Sequence, residues 1–133
     1  MQIGTASEIS GVPAKTIRYY ESIGLIEAAE RTAAGYRVYG DHDVQTLRFI
    51  QRARSLGFSV SDVAHLLALW RDTRRASSQV KVLAQNHVAR IDRKIEELRG
   101  MRETLVHLIE RCHGDERPDC PILADLAGLD GGR

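Results

Sequence analysis

Apolar residues recur at steps of three and four along most of this chain, and the points where that period fails divide it into elements. Near the start, Ala6, Ile9 and Val12 share one side of a short helix, with Thr5 or Ser7 as its expected cap and Gly11 as its break. Pro13 then opens a second helix, where a missing N–H costs nothing, and Ile17 and Tyr20 form its buried stripe. Gly24 ends it, and Leu25-Ile26 return the chain to the core. Helix, tight glycine turn and helix in so short a span is the helix-turn-helix pattern. The period changes over residues 31–40, where Gly35 supplies a turn and Tyr36, Arg37 and Val38 alternate, which predicts a short hairpin or wing.

Helical spacing resumes after Asp41, the expected cap, with Val44, Leu47, Ile50, Ala53 and Arg54. Beyond Leu56-Gly57-Phe58, Ser59 or Ser61 caps a further helix carrying Val63, Leu66, Leu67 and Trp70. A polar joint from Arg71 to Ser78 precedes the longest periodic run, about residues 80–111, capped by Ser77 or Ser78. Its seam is Val80, Ala84, Val88, Ile91, Ile95, Leu98, Met101, Leu105, Leu108 and Cys112, with charged residues on the outside. Such a helix spans ~48 Å, more than one small domain buries. It requires a partner helix, and the simplest partner is its own copy. Ile122 to Leu126 predict one or two more helical turns. The chain is therefore expected to be mainly α, with boundaries at 1–75, 76–111 and 112–133.

Composition narrows the function classes. The 133 residues include 28% charged and only 5% aromatic side chains, as wet-faced helices require. The formal net charge of +1 is too small for a general polyanion binder, so any contact with nucleic acid must come from locally placed arginines. No apolar stretch approaches membrane-spanning length, and Met1 to Thr5 lack the basic-then-apolar pattern of a secretory signal. A cytoplasmic location follows as an expectation, without a membrane partner. No Ser/His/Asp set, phosphate loop or acid pair is present, and His42, His65, His87 and His107 are scattered, so the chain does not read as an enzyme.

Two constellations carry chemistry. Lys15, Arg18 and Tyr20 on the second helix, with Arg31, Tyr36 and Arg37 on the wing, offer cations and phenols suited to phosphate and guanine; the same pattern also describes a solvated helix face over core tyrosines. The second is the cysteine pair Cys112 and Cys120, separated by seven residues at the end of the long helix. In a reducing compartment a close pair points to metal binding or redox sensing over a structural disulfide. Zinc in a structural site asks for four ligands, and His113 and His107 are the available additions; a monovalent soft ion is satisfied by two thiolates.

The run Thr16-Ile17-Arg18-Tyr19-Tyr20-Glu21, then Gly24-Leu25-Ile26, Gly35-Tyr36-Arg37-Val38-Tyr39 and Leu56-Gly57-Phe58-Ser59, closely resembles the signature of the MerR family of bacterial transcription regulators, and the likeness continues into the long helix. The resemblance implies a winged helix-turn-helix DNA-binding domain, a homodimer joined by an antiparallel coiled coil, and an effector site beyond it. It also implies activation by distorting an overlong promoter spacer so that RNA polymerase engages. Carried over by position, Arg18, Tyr20, Tyr36 and Arg37 are the expected contacts to double-stranded promoter DNA, with Lys15, Arg31 and Arg54 as further candidates.

The cysteine loop resembles that of the CueR-like copper-efflux regulators, in which two cysteines hold Cu(I), Ag(I) or Au(I). Those members carry Ser near the start of the long helix, where divalent-metal and mercury sensors carry a third Cys, and this chain has Ser77. A partner's hydroxyl in place of a thiolate withholds a ligand and a negative charge, which disfavours a divalent ion. His113, where copper members often have Pro, leaves a nitrogen near the site and keeps a Zn(II)-type response open. A regulator switched by a Cys112–Cys120 disulfide and a coiled-coil assembly module that binds protein are the remaining alternatives. The iron–sulfur sensors of the family need four cysteines and are excluded by a count of two.

Overall fold

The computed structural model describes residues 1–129. Eight elements follow one another: α1 (Ile3–Ser10), α2 (Ala14–Ser22), β1 (Glu30–Arg31), β2 (Arg37–Val38), α3 (Asp41–Ser55), α4 (Val60–Arg71), α5 (Ser77–Arg111) and α6 (Pro121–Leu126). They fall into two compact units, the first from Met1 to Val80 and the second beginning at Lys81.

In the first unit, α1 begins earlier than the capping residues alone suggest. Gln2, in extended backbone, precedes the helix and its carbonyl accepts from the Ala6 N–H, so Thr5 and Ser7 lie inside the helix instead of capping it. Ala6 and Val12 are buried as expected, but Ile9 is 43% exposed. Gly11 closes α1 in the left-handed region at φ 78°, which a side chain would resist, and its N–H donates to the Ser7 carbonyl. The buried Ser10 hydroxyl then accepts from the Val12 N–H at 3.2 Å, fixing the turn into α2. Pro13 precedes the first residue of α2, and Ile17 and Tyr20 face the core.

The wing is a two-strand antiparallel hairpin in which Glu30 faces Val38 and Arg31 faces Arg37. Gly35, at φ 87°, allows its turn, which the Thr32 N–H closes on the Tyr36 carbonyl at 2.8 Å. Strands this short are not stable alone. The wing is held by Tyr39, 1% exposed, whose N–H donates to the Met1 carbonyl at 2.7 Å.

Helix α3 buries Val44, Leu47, Ile50 and Ala53 on one face against α1 and α4. Asp41 is its first residue; the cap is made by Asp43, whose carboxylate accepts from the Gly40 N–H at 2.8 Å. Arg48 donates to the Ile9 carbonyl at 3.3 Å, placing a cation at the C-terminal end of α1. Ser59 caps α4 by accepting from the Asp62 N–H at 3.1 Å. Trp70, at the end of the apolar spacing of α4, is 41% exposed and stacks on Phe49, ring centroids 4.6 Å apart, because α4 turns only Val63 and Leu67 fully inward. The two rings, with Leu56, Phe58 and Leu66, line an open apolar groove of about 510 Å³.

Helix α5 starts at Ser77, a turn before the expected boundary, and its 35 residues extend ~52 Å. Val88, Ile91, Ile95, Leu98, Met101 and Leu105, all members of the periodic seam, are exposed along it, whereas Leu108 is buried. Helix α6 occupies the predicted tail. No helix of the described residues is long and apolar enough to cross a membrane.

Leu47 is completely buried, so Leu47→Ala is expected to lower the unfolding free energy by about 3 kcal/mol, and loss of the Ser59 cap in Ser59→Ala by about 1 kcal/mol, both read from urea denaturation.

Candidate nucleic-acid interface and thiol site

Four of the sequence candidates converge on one place. Arg18 from α2 and Arg31, Tyr36 and Arg37 from the wing line a cleft of about 220 Å³, with Gln2, Ile3 and Gly35 completing its wall. The convergence is built locally: α2 turns Ile17 and Tyr20 inward, which leaves Arg18 outward, and the hairpin register sets Arg31 opposite Arg37. Arg31 is steadied by donating to the Gly35 carbonyl at 2.9 Å, and Tyr36 is 64% exposed. Three guanidiniums around one cleft produce a concentrated positive potential on a chain of net charge +1.

The other candidates are placed differently. Lys15 is exposed on α2. Tyr20 is only 6% exposed and packs in the core; the phenol on the open side of α2 is its neighbour Tyr19, 53% exposed. Arg54 donates to the Phe58 carbonyl at 2.7 Å and so braces the turn between α3 and α4.

Two residues given no role in the sequence reading organise the cleft. Glu21, in the last turn of α2, accepts from the Tyr39 hydroxyl and pairs with Arg37 Nε at 3.3 Å. Its side chain is 8% exposed. Burial, and next the hydrogen bond and charge of Glu21, push the Tyr39 hydroxyl well above its usual pKa, so it remains a donor. Only the motif Arg18-Tyr19-Tyr20-Glu21 hinted at this; no periodicity links Glu21 to residues 16 and 18 positions further on.

In the second unit, both cysteines are free, half-buried thiols. Cys112 directly follows α5, its N–H donating to the Ile109 carbonyl at 3.0 Å. Cys120 is the residue before α6, with Pro121 as the first helical residue. Cys112 lies near enough to Cys120 to influence its ionisation, so the fold brings the two cysteines the sequence singled out into one neighbourhood. The Leu123 amide, turned toward the Cys120 sulfur though short of a full capping bond, lowers its pKa most. Partial burial opposes that, and the Ile122 amide and the Cys112 thiol lower it further. Asp115 orders the intervening loop by pairing with Arg117 at 2.8 Å. His113 and His107 are exposed, and no group of three or more His, Cys, Asp or Glu among the described residues is arranged to hold a metal ion. Two neighbouring thiols, one drawn toward its thiolate, are a donor set that suits a soft ion of low coordination number.

A helix-turn-helix flanked by a cationic wing defines a DNA-binding module. Residues 1–70 match the MerR HTH regulatory protein family, and residues 44–108 match the family described as MerR, DNA binding. The chain belongs to the MerR family of transcription regulators, which bind DNA and are not enzymes. The transcriptional regulator HmrR of Sinorhizobium medicae is 61% identical over 96% of this chain and 86% of its own length. CueR of Escherichia coli O157:H7 is 38% identical over 96% of this chain and 95% of its own. The crystal structure of the regulator PbrR691 from Ralstonia metallidurans CH34 in complex with lead(II) aligns with a TM-score of 0.82 at 29% identity, covering 95% of this chain and 98% of that one.

The sign of the Cys120 shift is testable. A lowered pKa places thiolate at lower pH, so iodoacetamide labelling of Cys120 in the reduced, metal-free protein is expected to begin at lower pH than for free cysteine. Mass spectrometry of the labelled peptide measures it, and an onset at or above the free-cysteine pH contradicts the geometry.

Proposed function

We propose that this chain is a metal-responsive transcription activator of the cytoplasm, triggered by Cu(I), or by Ag(I) or Au(I), at Cys112 and Cys120. The observation that carries the reading is the placement of two free cysteines at the two ends of the one short loop that joins α5 to α6. Relatives named as heavy-metal-dependent regulators, at 54% and 59% identity, support a metal effector, and the CueR relatives support copper. Bound as a pair of thiolates to a monovalent ion, the site carries net charge −1 and links the end of α5 to the start of α6. Two copies pair through the exposed seam of α5 in antiparallel fashion, burying the apolar residues now in water. In that pairing the partner's Ser77 lies beside the thiol loop and, being a hydroxyl, withholds a third thiolate. The divalent reading is favoured by the likeness to the lead(II)-bound regulator, and two free cysteines on one short loop equally suit a disulfide switch.

At the other end, Arg18, Arg31, Tyr36 and Arg37 grip promoter DNA through the cleft, with Lys15 beside them. Deforming the duplex costs a few kcal/mol. A coupling of 1–3 kcal/mol between metal site and DNA domains is enough to shift that balance and let RNA polymerase engage.

Competition among Cu(I), Ag(I) and Zn(II), read by transcription in vitro from a promoter whose spacer is a duplex selected by the protein from a random library, tests this directly. One Cu(I) per protomer with induction is expected. Cys112→Ser or Cys120→Ser is expected to abolish induction while leaving DNA affinity within about twofold. Zn(II) retained against a chelator with no response to Cu(I) assigns the divalent reading, and a response to peroxide in metal-free buffer assigns the disulfide. Ser77→Cys is expected to widen the response toward divalent ions. Arg18→Ala and Arg31→Ala are each expected to reduce the salt slope of DNA binding by about one.

A further inference from the structure

We infer that Glu21 is a positioning residue for DNA recognition, its buried carboxylate holding the Arg37 guanidinium at a fixed place in the cleft between α2 and the wing. The inference rests on the assignment of Arg37 as a DNA contact.

By charge alone, a carboxylate beside cations meant for phosphate weakens their attraction for DNA. Its surroundings explain it. Glu21 is 8% exposed, and a carboxylate so buried is stable only with partners for its charge and lone pairs. It has two, from two places in the chain: the Tyr39 hydroxyl on one oxygen and Arg37 Nε on the other, at 3.3 Å. Tyr39 is a rigid anchor, 1% exposed and tied by its N–H to the Met1 carbonyl. Arg37 is a flexible side chain 33% exposed at the lip of the cleft. Glu21 therefore joins an immovable group to a movable one. By taking Nε it leaves the four N–H donors on the terminal nitrogens for a phosphate oxygen or a base edge. Arg18 stands one turn earlier on α2, on the same face as Glu21, so the pair also sets the spacing between the helix and wing cations. Ordering Arg37 before DNA arrives removes part of the entropy cost of binding, a cost that specific contacts bear and diffuse electrostatic attraction does not.

Screening and positioning predict opposite signs. The full chain and its Arg37→Ala, Glu21→Gln, Tyr39→Phe and Glu21→Gln/Arg37→Ala variants are titrated with a fluorescent duplex selected from a random library by the unsubstituted protein, and with a scrambled duplex of the same composition. Arg37→Ala is expected to weaken binding to the selected duplex about tenfold. Glu21→Gln is expected to lower the ratio of selected to scrambled affinity by about the same factor although it adds a positive charge, and the double variant to lose no more than Arg37→Ala alone. Tyr39→Phe, which keeps the ring and deletes the hydroxyl, is expected to lower the ratio by a smaller factor. If Glu21→Gln tightens both duplexes equally or leaves the ratio unchanged, Glu21 only screens charge and the inference is overturned. Should Glu21→Gln not fold, Tyr39→Phe decides by the same ratio. If Arg37→Ala itself binds the selected duplex as the unsubstituted protein does, Arg37 is not a DNA contact, and that failure is distinct from a failure of positioning.

Discussion

The packing of the first unit centres on one helix, α3. Its face of Val44, Leu47, Ile50 and Ala53 is the surface on which α1 and α4 pack, and α2 is fixed in turn by its contact with α1. Tightly packed interiors tolerate little displacement, so the outward direction of Arg18 is set by inward burial of Ile17 and Tyr20. Arg48 adds a polar tie from α3 to the end of α1. Without that framework neither the short α2 nor the two-residue strands of the wing would persist in water.

The electrostatics of the interface depend on placement more than on quantity. A chain with one net positive charge cannot attract DNA strongly from a distance, but three guanidiniums around a cleft of about 220 Å³ act together at contact range. The buried Glu21 belongs to the same design, because it trades a fraction of the attraction for a fixed position of Arg37. A solvated carboxylate would offer no such order, since exposed ion pairs contribute little and leave their partners mobile.

The second unit follows a different logic. Its long helix carries an apolar seam that its own unit leaves in water from Val88 to Leu105, the surface on which the proposed pairing of two copies rests. At its end the loop from Cys112 to Cys120 is short, so bringing the two thiols together costs little loop-closure entropy. The amides at the start of α6 and the Cys112 thiol then favour the charged form of Cys120. The cysteine pair is thus built from residues near in sequence, whereas the cationic cleft is assembled from residues far apart.

That difference separates what was legible in the sequence from what was not. Helices α2 to α6, the wing about Gly35, the exposed seam and the cysteine pair all follow from local periodicity, turn chemistry and spacing, each of which acts over a few residues. The start of α1 at Ile3 did not, because the cap is the backbone of Gln2 and not a side chain the sequence advertises. The partial exposure of Trp70 was not legible either, because spacing marks a helix face without saying how much of it is covered; stacking on Phe49 is a contact between α3 and α4. Tyr20 fills the buried stripe its spacing gave it, which leaves Tyr19 as the exposed phenol of α2. The junction of Glu21 with Arg37 and Tyr39 is the clearest case. The sequence by itself determined which residue types stood in the motif; only the tertiary structure decided that a carboxylate from a helix end would be buried between a tyrosine and an arginine of the wing, because such a pairing depends on how the two elements pack.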